Sequence, residues 1–278
     1  MQKLSDLKNR LLISIVIIAF VFLLINFSYL VYLKIASFVV ISCLGCLAGL
    51  EFINILKQKQ IVISKIFFLI FIISEIFSFF IFSQYEEFKI LPIFVFLVFV
   101  IYLFLSNFKQ IENSILRIST AALGFLYIAI PFGMLFPILY MQNQDGRYWI
   151  FYLLVVTKFT DIGGYFGGKL FGKRKLAVHI SSNKTIFGSV SGFFFALLGS
   201  SVFLFFSNPN VFDFNLTMAI SLGIILSGFS QIGDLSESLL KRDAKIKDSS
   251  SIPGIGGILD MVDSLMLNIP ILYCYLLG

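Results

Sequence analysis

The sequence predicts an all-α, polytopic integral membrane protein, and composition and run length are the first observations that predict it. Hydrophobic residues make up 59% of the 278-residue chain, charged residues make up 13%, and the mean hydropathy is +0.98. Soluble domains carry about 25% charged residues. Long apolar runs recur, each near the roughly 20 residues that a helix needs to cross about 30 Å of hydrocarbon. Membrane-spanning strands are not expected, because an open sheet edge cannot satisfy its backbone hydrogen bonds in lipid.

The apolar runs predict about nine transmembrane helices. Glu75 lies in the middle of the third run and is expected to face the bundle interior. Trp149, with Tyr148 and Tyr152, is expected to anchor the chain at the outer membrane interface. The predicted spans are residues 11–27, 31–52, 66–83, 90–106, 116–140, 148–166, 186–206, 216–234 and 257–277.

The basic residues predict the orientation, since Lys and Arg collect on the cytoplasmic side of membranes. With the N-terminus inside, only Lys34, Lys89 and Arg147 of the 21 basic residues fall in outside loops, and Lys158 falls within a span. The net charge of +6 then forms a cytoplasmic belt suited to anionic headgroups and nucleotides, and it gives no indication of a nucleic-acid partner. We therefore predict a multi-pass protein of the cell (inner) membrane with a cytoplasmic N-terminus.

The chain is predicted to form a single integral membrane domain over residues 1–278, with structural helices in 1–145 and catalytic helices and cytoplasmic loops in 146–278. From about residue 157 onwards, glycines, charges and hydroxyls crowd together. The two longest polar loops, 167–185 and 235–256, are both predicted to face the cytoplasm. Loops of this kind commonly carry function.

Four aspartates are predicted to meet in one layer near the cytoplasmic surface. They are Asp161, Asp234, Asp260 and Asp263, and the last two lie three residues apart on one helix face. Burying each carboxylate costs roughly 2.5–3.5 kcal/mol, so each needs a partner. One interpretation is ion pairing, of Asp161 with Lys158 and of Asp234 with Lys241. The other is a Mg²⁺ site, since the nearby ligands are oxygens only.

The surrounding residues favour a site for a metal-bound polyphosphate. The stretch GGYFGGKLFGKRK (163–175) sets glycines beside Lys and Arg, and SSNKT (181–185) and SLLKRDAKIKD (238–248) add hydroxyls and cations. Glycine lets backbone approach a phosphate closely, and cations neutralise it. Each signal is weak alone, because the glycine pairs could be helix contacts and the basic residues could be topology signals.

Residues 233–264, GDLSESLLKRDAKIKDSSSIPGIGGILDMVDS, resemble the signature of the phosphatidate cytidylyltransferases, also called CDP-diacylglycerol synthases. The signature runs roughly S-x-x-K-R, four residues, K-D, a short spacer, P-G-H-G-G, two residues and D-R-x-D. Upstream, TDIGGYFGGKLFGKRKL and SSNKT are similar to two further stretches of the family. The resemblance covers about residues 157–264. It implies transfer of CMP from CTP to phosphatidate, giving CDP-diacylglycerol and pyrophosphate.

Residue by residue, the resemblance implies that Asp234 and Asp260 bind Mg²⁺, and it leaves a second metal ion open. It also leaves a homodimer open, beside CTP, phosphatidate and membrane lipid as partners. The residues to which we assign catalytic roles are Asp161, Lys241, Arg242 and Asp263. The residues that we expect to bind substrate are Lys173, Lys175, Lys184, Ser238, Lys247 and Asp248.

Two departures from the signature bear on the chemistry: Ile255 stands at the family's His, and Met261 stands at an Arg. The nucleophile would be a phosphate monoester, whose second pKa is about 6, so it is already ionised and needs no general base. Lys241, Arg242 and Lys245 could replace part of the lost cation.

Three other functions stay open. The chain could be a related enzyme acting on another lipid phosphate or on a polyprenol, or a member of the family that has lost activity. It could also be an anion transporter. A transporter would be expected to spread its charges across the depth of the membrane, whereas these collect on one side.

Overall fold

The computed structural model describes residues 26–27, 30–142, 144–207, 214–247, 249 and 257–277. Within these ranges the chain is almost entirely helical, which confirms the all-α prediction. The predicted first span, 11–27, lies almost wholly outside the described residues. The helices are α1 (Val31–Gln58), α2 (Lys65–Gln84), α3 (Leu91–Asn107), α4 (Ser114–Leu139), α5 (Gly146–Phe171), α6 (Ile186–Phe206), α7 (Leu216–Asp243) and α8 (Ile258–Leu277), with a 3₁₀ turn at Glu86–Phe88 before α3.

Seven of these helices are long and apolar enough to cross a membrane, counting α3 with its preceding turn. The protein is therefore a multi-pass membrane protein. The exception is α5, which covers the predicted span 148–166 but is not among the seven. The count of nine spans and the orientation of the N-terminus stay predictions.

The chain divides into two compact units. The first unit comprises residues 1–133 and 244–261. Its helices α1, α2 and α3 and most of α4 pack against one another through phenyl rings. The ring of Phe99 stacks on that of Phe125 at 4.4 Å, and a Cβ atom at Gly124 would lie 2.3 Å from the Phe52 ring. Glu75 is 1% exposed inside this unit, as predicted.

The second unit comprises residues 134–243 and 262–278. Helix α5 is capped by Asp145, whose carboxylate accepts a hydrogen bond from the backbone N–H of Arg147. It then packs closely against α6, because glycines stand where the two backbones meet. A Cβ atom at Gly167 would lie 1.9 Å from the Ser191 hydroxyl oxygen, and that hydroxyl donates to the Gly163 carbonyl at 2.8 Å.

Trp149 lies in the interior of the second unit, where it is 1% exposed. Its indole N–H donates to the Gln144 side-chain oxygen at 2.9 Å, and its ring meets Phe214 edge to face at 5.9 Å. The prediction of a lipid-facing anchor is therefore wrong for this residue. The apolar surface of the indole is covered by other aromatic rings of the same unit instead of by lipid.

One hairpin interrupts the helices of the second unit. Strands β1 (Lys175–Ala177) and β2 (Ser181–Thr185) pair antiparallel, with Lys175 opposite Thr185 and Ala177 opposite Ser181. The sequence analysis predicted only a polar loop here. A hairpin satisfies the backbone groups of this segment locally, and it sets β2 directly before the first residue of α6.

Candidate active site

Three of the four predicted aspartates come together in the second unit. Asp161 lies on α5, Asp234 near the C-terminal end of α7 and Asp263 in the second turn of α8. The charge of Asp234 acts on both of the others, and the charge of Asp161 acts on Asp263. All three side chains are neither fully buried nor fully exposed. Three separate helices thus carry carboxylates that act on one another, and we call this trio the aspartate cluster.

Lys184 is the cation of the aspartate cluster. Its ammonium nitrogen lies 2.7 Å from a carboxylate oxygen of Asp234, and its charge also acts on Asp161 and Asp263. That nitrogen is shielded from solvent and makes no hydrogen bond of good geometry within the described residues. An ammonium has three protons to donate, so an ion pair with one carboxylate leaves capacity for a further anionic oxygen.

The hairpin and the start of α6 hold Lys184 in place. Lys184 is the last residue but one of β2, and the next residue, Thr185, is the N-cap of α6. The Thr185 hydroxyl accepts a hydrogen bond from the Gly188 N–H at 3.0 Å, which satisfies one of the free donors of the first turn. The Arg174 carbonyl accepts a hydrogen bond from the Ile186 N–H, also at 3.0 Å. Lys184 is thus fixed between a strand pair and a capped helix.

Helices α7 and α8 approach closely beside the aspartates. A Cβ atom at Gly233 would lie 2.5 Å from the Asp263 carbonyl oxygen and 3.3 Å from the Ser264 Cα. Only glycine leaves room for this approach. Farther along α8, the Asn268 side-chain N–H donates to the Thr157 hydroxyl of α5 at 3.0 Å, with both residues fully buried. These two contacts fix α8 against the helices that carry Asp161 and Asp234.

The ion pairs agree only in part with the sequence analysis. Lys158 pairs with Asp161 at 3.2 Å, as predicted for residues one turn apart. The predicted pair of Asp234 with Lys241 is wrong, since Asp234 pairs with Lys184. Lys241 instead forms an ion pair with Glu237, a fully buried residue one turn before it on α7. A lysine four residues after a glutamate reaches it along one helix face, whereas Asp234 lies two turns away.

The remaining predicted site residues differ in what the structure shows of them. The Arg242 guanidinium donates to the Ile180 carbonyl at 3.2 Å, so it holds the turn of the hairpin that carries Lys184. Asp248 and Ile255 lie outside the described residues. Lys173, Lys175 and Lys247 are exposed, and Ser238 is half-buried.

The glycines of 163–192 serve helix packing. A Cβ atom at Gly163 would lie 2.5 Å from the Phe195 Cβ, and one at Gly188 would lie 2.8 Å from the Gly164 carbonyl oxygen. Of the two interpretations left open by the sequence, small-residue contacts between helices account for these positions.

Asp260 belongs to the first unit, where it has its own buried surroundings. One of its carboxylate oxygens accepts hydrogen bonds from the Ser249 N–H at 3.2 Å and the Ser249 hydroxyl at 3.0 Å. That hydroxyl also lies 2.9 Å from Glu51. Glu51, 4% exposed, accepts hydrogen bonds from the N–H groups of Ile258 and Leu259, each at 2.8 Å.

Sequence reasoning missed Glu51 and Glu237. Glu237 had a local signal, because it stands four residues before Lys241 within SESLLK. Glu51 had a weaker one: it is an acidic residue inside an apolar run, which marks a buried carboxylate in need of donors. Nothing in the run indicates that the donors lie about 200 residues later.

The aspartate cluster fits one kind of metal site. Its donors are carboxylate oxygens, which Mg²⁺ prefers. Within the part of the chain that the structure describes, no group of three His, Cys, Asp or Glu side chains could hold a metal ion by itself. Mg²⁺ usually takes one or two carboxylates and completes its shell with water and phosphate. The residues therefore fit a Mg²⁺ that arrives with a polyphosphate, and they do not fit a preformed metal cage.

Fold and cluster together define a polytopic membrane protein with a site of paired acidic and basic side chains, which three helices and a hairpin carry. Residues 8–277 match the sequence profile of the cytidylyltransferase family, so the chain belongs to this family.

Several curated relatives are similar to part of the chain. The phosphatidate cytidylyltransferase of Chlamydia muridarum (strain MoPn / Nigg) is 42% identical over 160 residues, which cover 55% of this chain and 52% of that protein. The phosphatidate cytidylyltransferase of Staphylococcus haemolyticus (strain JCSC1435) is 41% identical over 158 residues, covering 56% of this chain and 60% of that protein. The chain thus matches only about half the length of these curated relatives.

Proposed function

We propose that the protein is a phosphatidate cytidylyltransferase, an enzyme that transfers CMP from CTP to phosphatidate and releases pyrophosphate, in phospholipid biosynthesis. The observation that carries the proposal is the ion pair of Lys184 with Asp234 inside the aspartate cluster. A shielded ammonium beside carboxylates is suited to bind the phosphates of a metal-bound nucleotide. The names of the curated relatives support the same activity.

The main obstacle in this reaction is charge, because an anionic phosphate must approach an anionic triphosphate. Lys184 has unused donors with which to bind a phosphate oxygen. Lys173 and Lys175 are exposed around the same hairpin and would add positive charge on the pyrophosphate side. Cations in such positions stabilise the charge that develops as the pyrophosphate leaves.

The residues that would hold Mg²⁺ are Asp234 and Asp260, as the resemblance implies. When bound, Mg²⁺ neutralises the triphosphate and aligns the displacement. Asp161 and Asp263 would bind waters of that ion or would keep Lys184 oriented. This assignment stays a prediction.

The bond changes need no side-chain base. A phosphate oxygen of phosphatidate forms a bond to the α-phosphorus of CTP, and the bond from that phosphorus to the bridging oxygen breaks, with pyrophosphate as the leaving group. The attacking phosphate has a second pKa of about 6 and is ionised at neutral pH. The Ile that replaces the family's His is therefore compatible with activity.

Phosphatidate would enter from the lipid, and CTP from the cytoplasm. The basic loops predict that the protein lies in the cell (inner) membrane and that its site faces the cytoplasm. Lys and Arg at this surface would also attract the anionic lipid substrate.

The test uses the purified full chain in lipid nanodiscs with CTP, Mg²⁺ and phosphatidate. Pyrophosphate release should require all three. Asp234→Asn should lower the rate by about 100-fold or more, since it removes a carboxylate that would hold Mg²⁺ and that pairs with Lys184. Asp145→Asn is the matched control, because Asp145 is also an ion-paired aspartate but lies outside the cluster.

Two results would contradict the proposal. One is the absence of pyrophosphate release with phosphatidate, and the other is a wild-type rate in Asp234→Asn. A parallel series with polyprenyl phosphate in place of phosphatidate separates the proposed substrate from other lipid phosphates.

A further inference from the structure

Glu51 and the start of α8 meet in a buried contact within the first unit. Helix α8 begins at Ile258, and the residue before it is Gly257, which has no side chain to cap the helix. The free N–H groups of a first helical turn need acceptors when they are buried. The Glu51 carboxylate supplies them, with one oxygen 2.8 Å from the Ile258 nitrogen and the other 2.8 Å from the Leu259 nitrogen.

The same carboxylate is connected to Asp260. The Ser249 hydroxyl lies 2.9 Å from the Glu51 oxygen that accepts from Leu259, and 3.0 Å from a carboxylate oxygen of Asp260. The Ser249 N–H donates to that same Asp260 oxygen. Asp260 is therefore fixed in two ways: its backbone belongs to the turn that Glu51 caps, and its side chain is held by Ser249.

Gly257 shows how tightly this group is packed. A Cβ atom on Gly257 would lie 1.9 Å from the Ser249 hydroxyl oxygen, 2.7 Å from Asp260 and 3.1 Å from Glu51. Any side chain at this position would displace the Ser249 hydroxyl. Glycine at this position thus leaves room for Glu51 of α1, which caps α8 in place of a local side chain.

We propose that Glu51 is a positioning residue, which through the start of α8 and Ser249 fixes the predicted metal ligand Asp260 in its working position. The proposal rests on the proposed function for the role of Asp260. It adds a residue from α1, which lies outside the stretch that resembles the family signature.

Glutamine cannot take over this role, although it has nearly the shape of glutamate. Each Glu51 oxygen accepts from a different backbone N–H. A Gln side chain has one accepting oxygen, so in either orientation its NH₂ group faces an N–H of α8, donor against donor. Glu51→Gln therefore leaves one buried donor unsatisfied and displaces the first turn that carries Asp260.

The activity test compares Glu51→Gln with Glu75→Gln. Glu75 is a matched control, since it is also a buried glutamate of the first unit, and its helix α2 holds no residue of the cluster. Glu51→Gln should lower turnover by about 10- to 100-fold, the order expected when a reacting group moves by about 1 Å. It should also raise the Mg²⁺ concentration that gives half-maximal activity, and Glu75→Gln should change neither quantity.

Ser249→Ala separates the two ways in which Glu51 acts on Asp260, through the Ser249 hydroxyl and through the first turn of α8. It removes the hydroxyl between Glu51 and Asp260 but leaves the contacts of Glu51 with α8. Its effect on the Mg²⁺ requirement should be smaller than that of Glu51→Gln. Because the Ser249 hydroxyl contacts both Glu51 and Asp260, part of each loss acts through it, so the double variant should lose less than the product of the two single losses. A purely structural role for Glu51 predicts lower stability with an unchanged Mg²⁺ requirement, and that result would overturn the proposal.

Hydrogen exchange provides a readout that does not depend on activity. The N–H groups of Ile258 and Leu259 should exchange faster in full-length Glu51→Gln than in wild type, and unchanged exchange there overturns the proposal whatever the activity. If the wild-type protein releases no pyrophosphate, faster exchange in Glu51→Gln and not in Glu75→Gln would support the positioning of α8, and only the proposed function would fall.

Discussion

Replacing Gly233 with Ala should disable the site through its backbone, without changing a charged group. Gly233 is buried on α7 directly before Asp234, where the helix faces the backbone of α8 at Asp263 and Ser264. The added methyl group would meet the Asp263 carbonyl oxygen at 2.5 Å. Because this neighbour is backbone, no side-chain rotation can relieve the contact.

The size of the effect follows from that distance. Ordinary contact begins at 3.4 Å, so the two helices must separate by roughly 1 Å at the point that carries Asp234 and Asp263, which is enough to cost about 100-fold in rate. Overpacking costs about 1–3 kcal/mol of stability, and alanine regains about 1 kcal/mol over glycine in a helix. The net loss of stability is therefore small, at about 0–2 kcal/mol, while the loss of rate is large.

Gly228 offers the matched control on the same helix. A Cβ atom there would lie 3.8 Å from the Phe193 ring, which is an ordinary contact. Gly228→Ala should therefore keep its rate of pyrophosphate release and gain about 1 kcal/mol of stability. Both variants are measured for pyrophosphate release and for thermal unfolding. A Gly233→Ala protein that is as active as wild type and more stable would refute the assigned approach of α7 and α8.

Two further predictions concern ion pairs of the second unit. Lys241→Met should destabilise the protein by about 3–5 kcal/mol, because it leaves the carboxylate of fully buried Glu237 without its cation. Thermal unfolding measures this loss, and the double variant Glu237→Gln/Lys241→Met should recover most of it. Equal unfolding temperatures of Lys241→Met and wild type would contradict the ion pair of Lys241 with Glu237. Hydrogen bonds from the Arg147 side chain lower the pKa of Asp145 below its ordinary value of 3.8, so the pair contributes stability above that pH and loses it as the pH falls through the lowered pKa. Since the pair is partly exposed, Asp145→Asn should cost less than about 1 kcal/mol at pH 7. Asn still caps the helix, so the difference from wild type should vanish once the pH lies below the lowered pKa, and a difference that persists there would refute the ion-pair origin.

The fold class could be predicted because lipid imposes a simple rule on sequence. Apolar runs of sufficient length must be helices, and the predicted runs from 31–52 to 257–277 all coincide with helices of the structure. The hairpin at 175–185 could not be predicted by that rule, since it lies in a polar segment where no lipid restricts the backbone. There, strand pairing depends on local hydrogen bonds that composition does not report.

The candidate site could be predicted as a set of residues, but its pairing could not. Successive membrane helices run in opposite directions, and this rule was enough to predict that Asp161, Asp234 and Asp263 lie at the same side of the membrane. The partner of Asp234 depends on where the hairpin places Lys184. Lys241 was predicted as the partner because it is near Asp234 in the chain. Glu51 lies farther still from its partners at 258–259, and no spacing rule joins residues that only the packed first unit brings into contact.

The distribution of charge along the helices favours surface chemistry over transport. Residues 186–206 of α6, 216–233 of α7 and 264–277 of α8 contain no Asp, Glu, Lys or Arg. The charged residues of α7 lie between Asp234 and the end of the helix. Those of α8 lie in its first two turns and end at Asp263. A pathway for an anion needs polar groups along the full depth of the bilayer, since each charge is costly in hydrocarbon. Helix α6 carries no charge, and the charges of α7 and α8 are confined to one end of each helix. The proposed reaction between a water-soluble nucleotide and a lipid headgroup would require such an arrangement, because both phosphates would stay at the membrane surface.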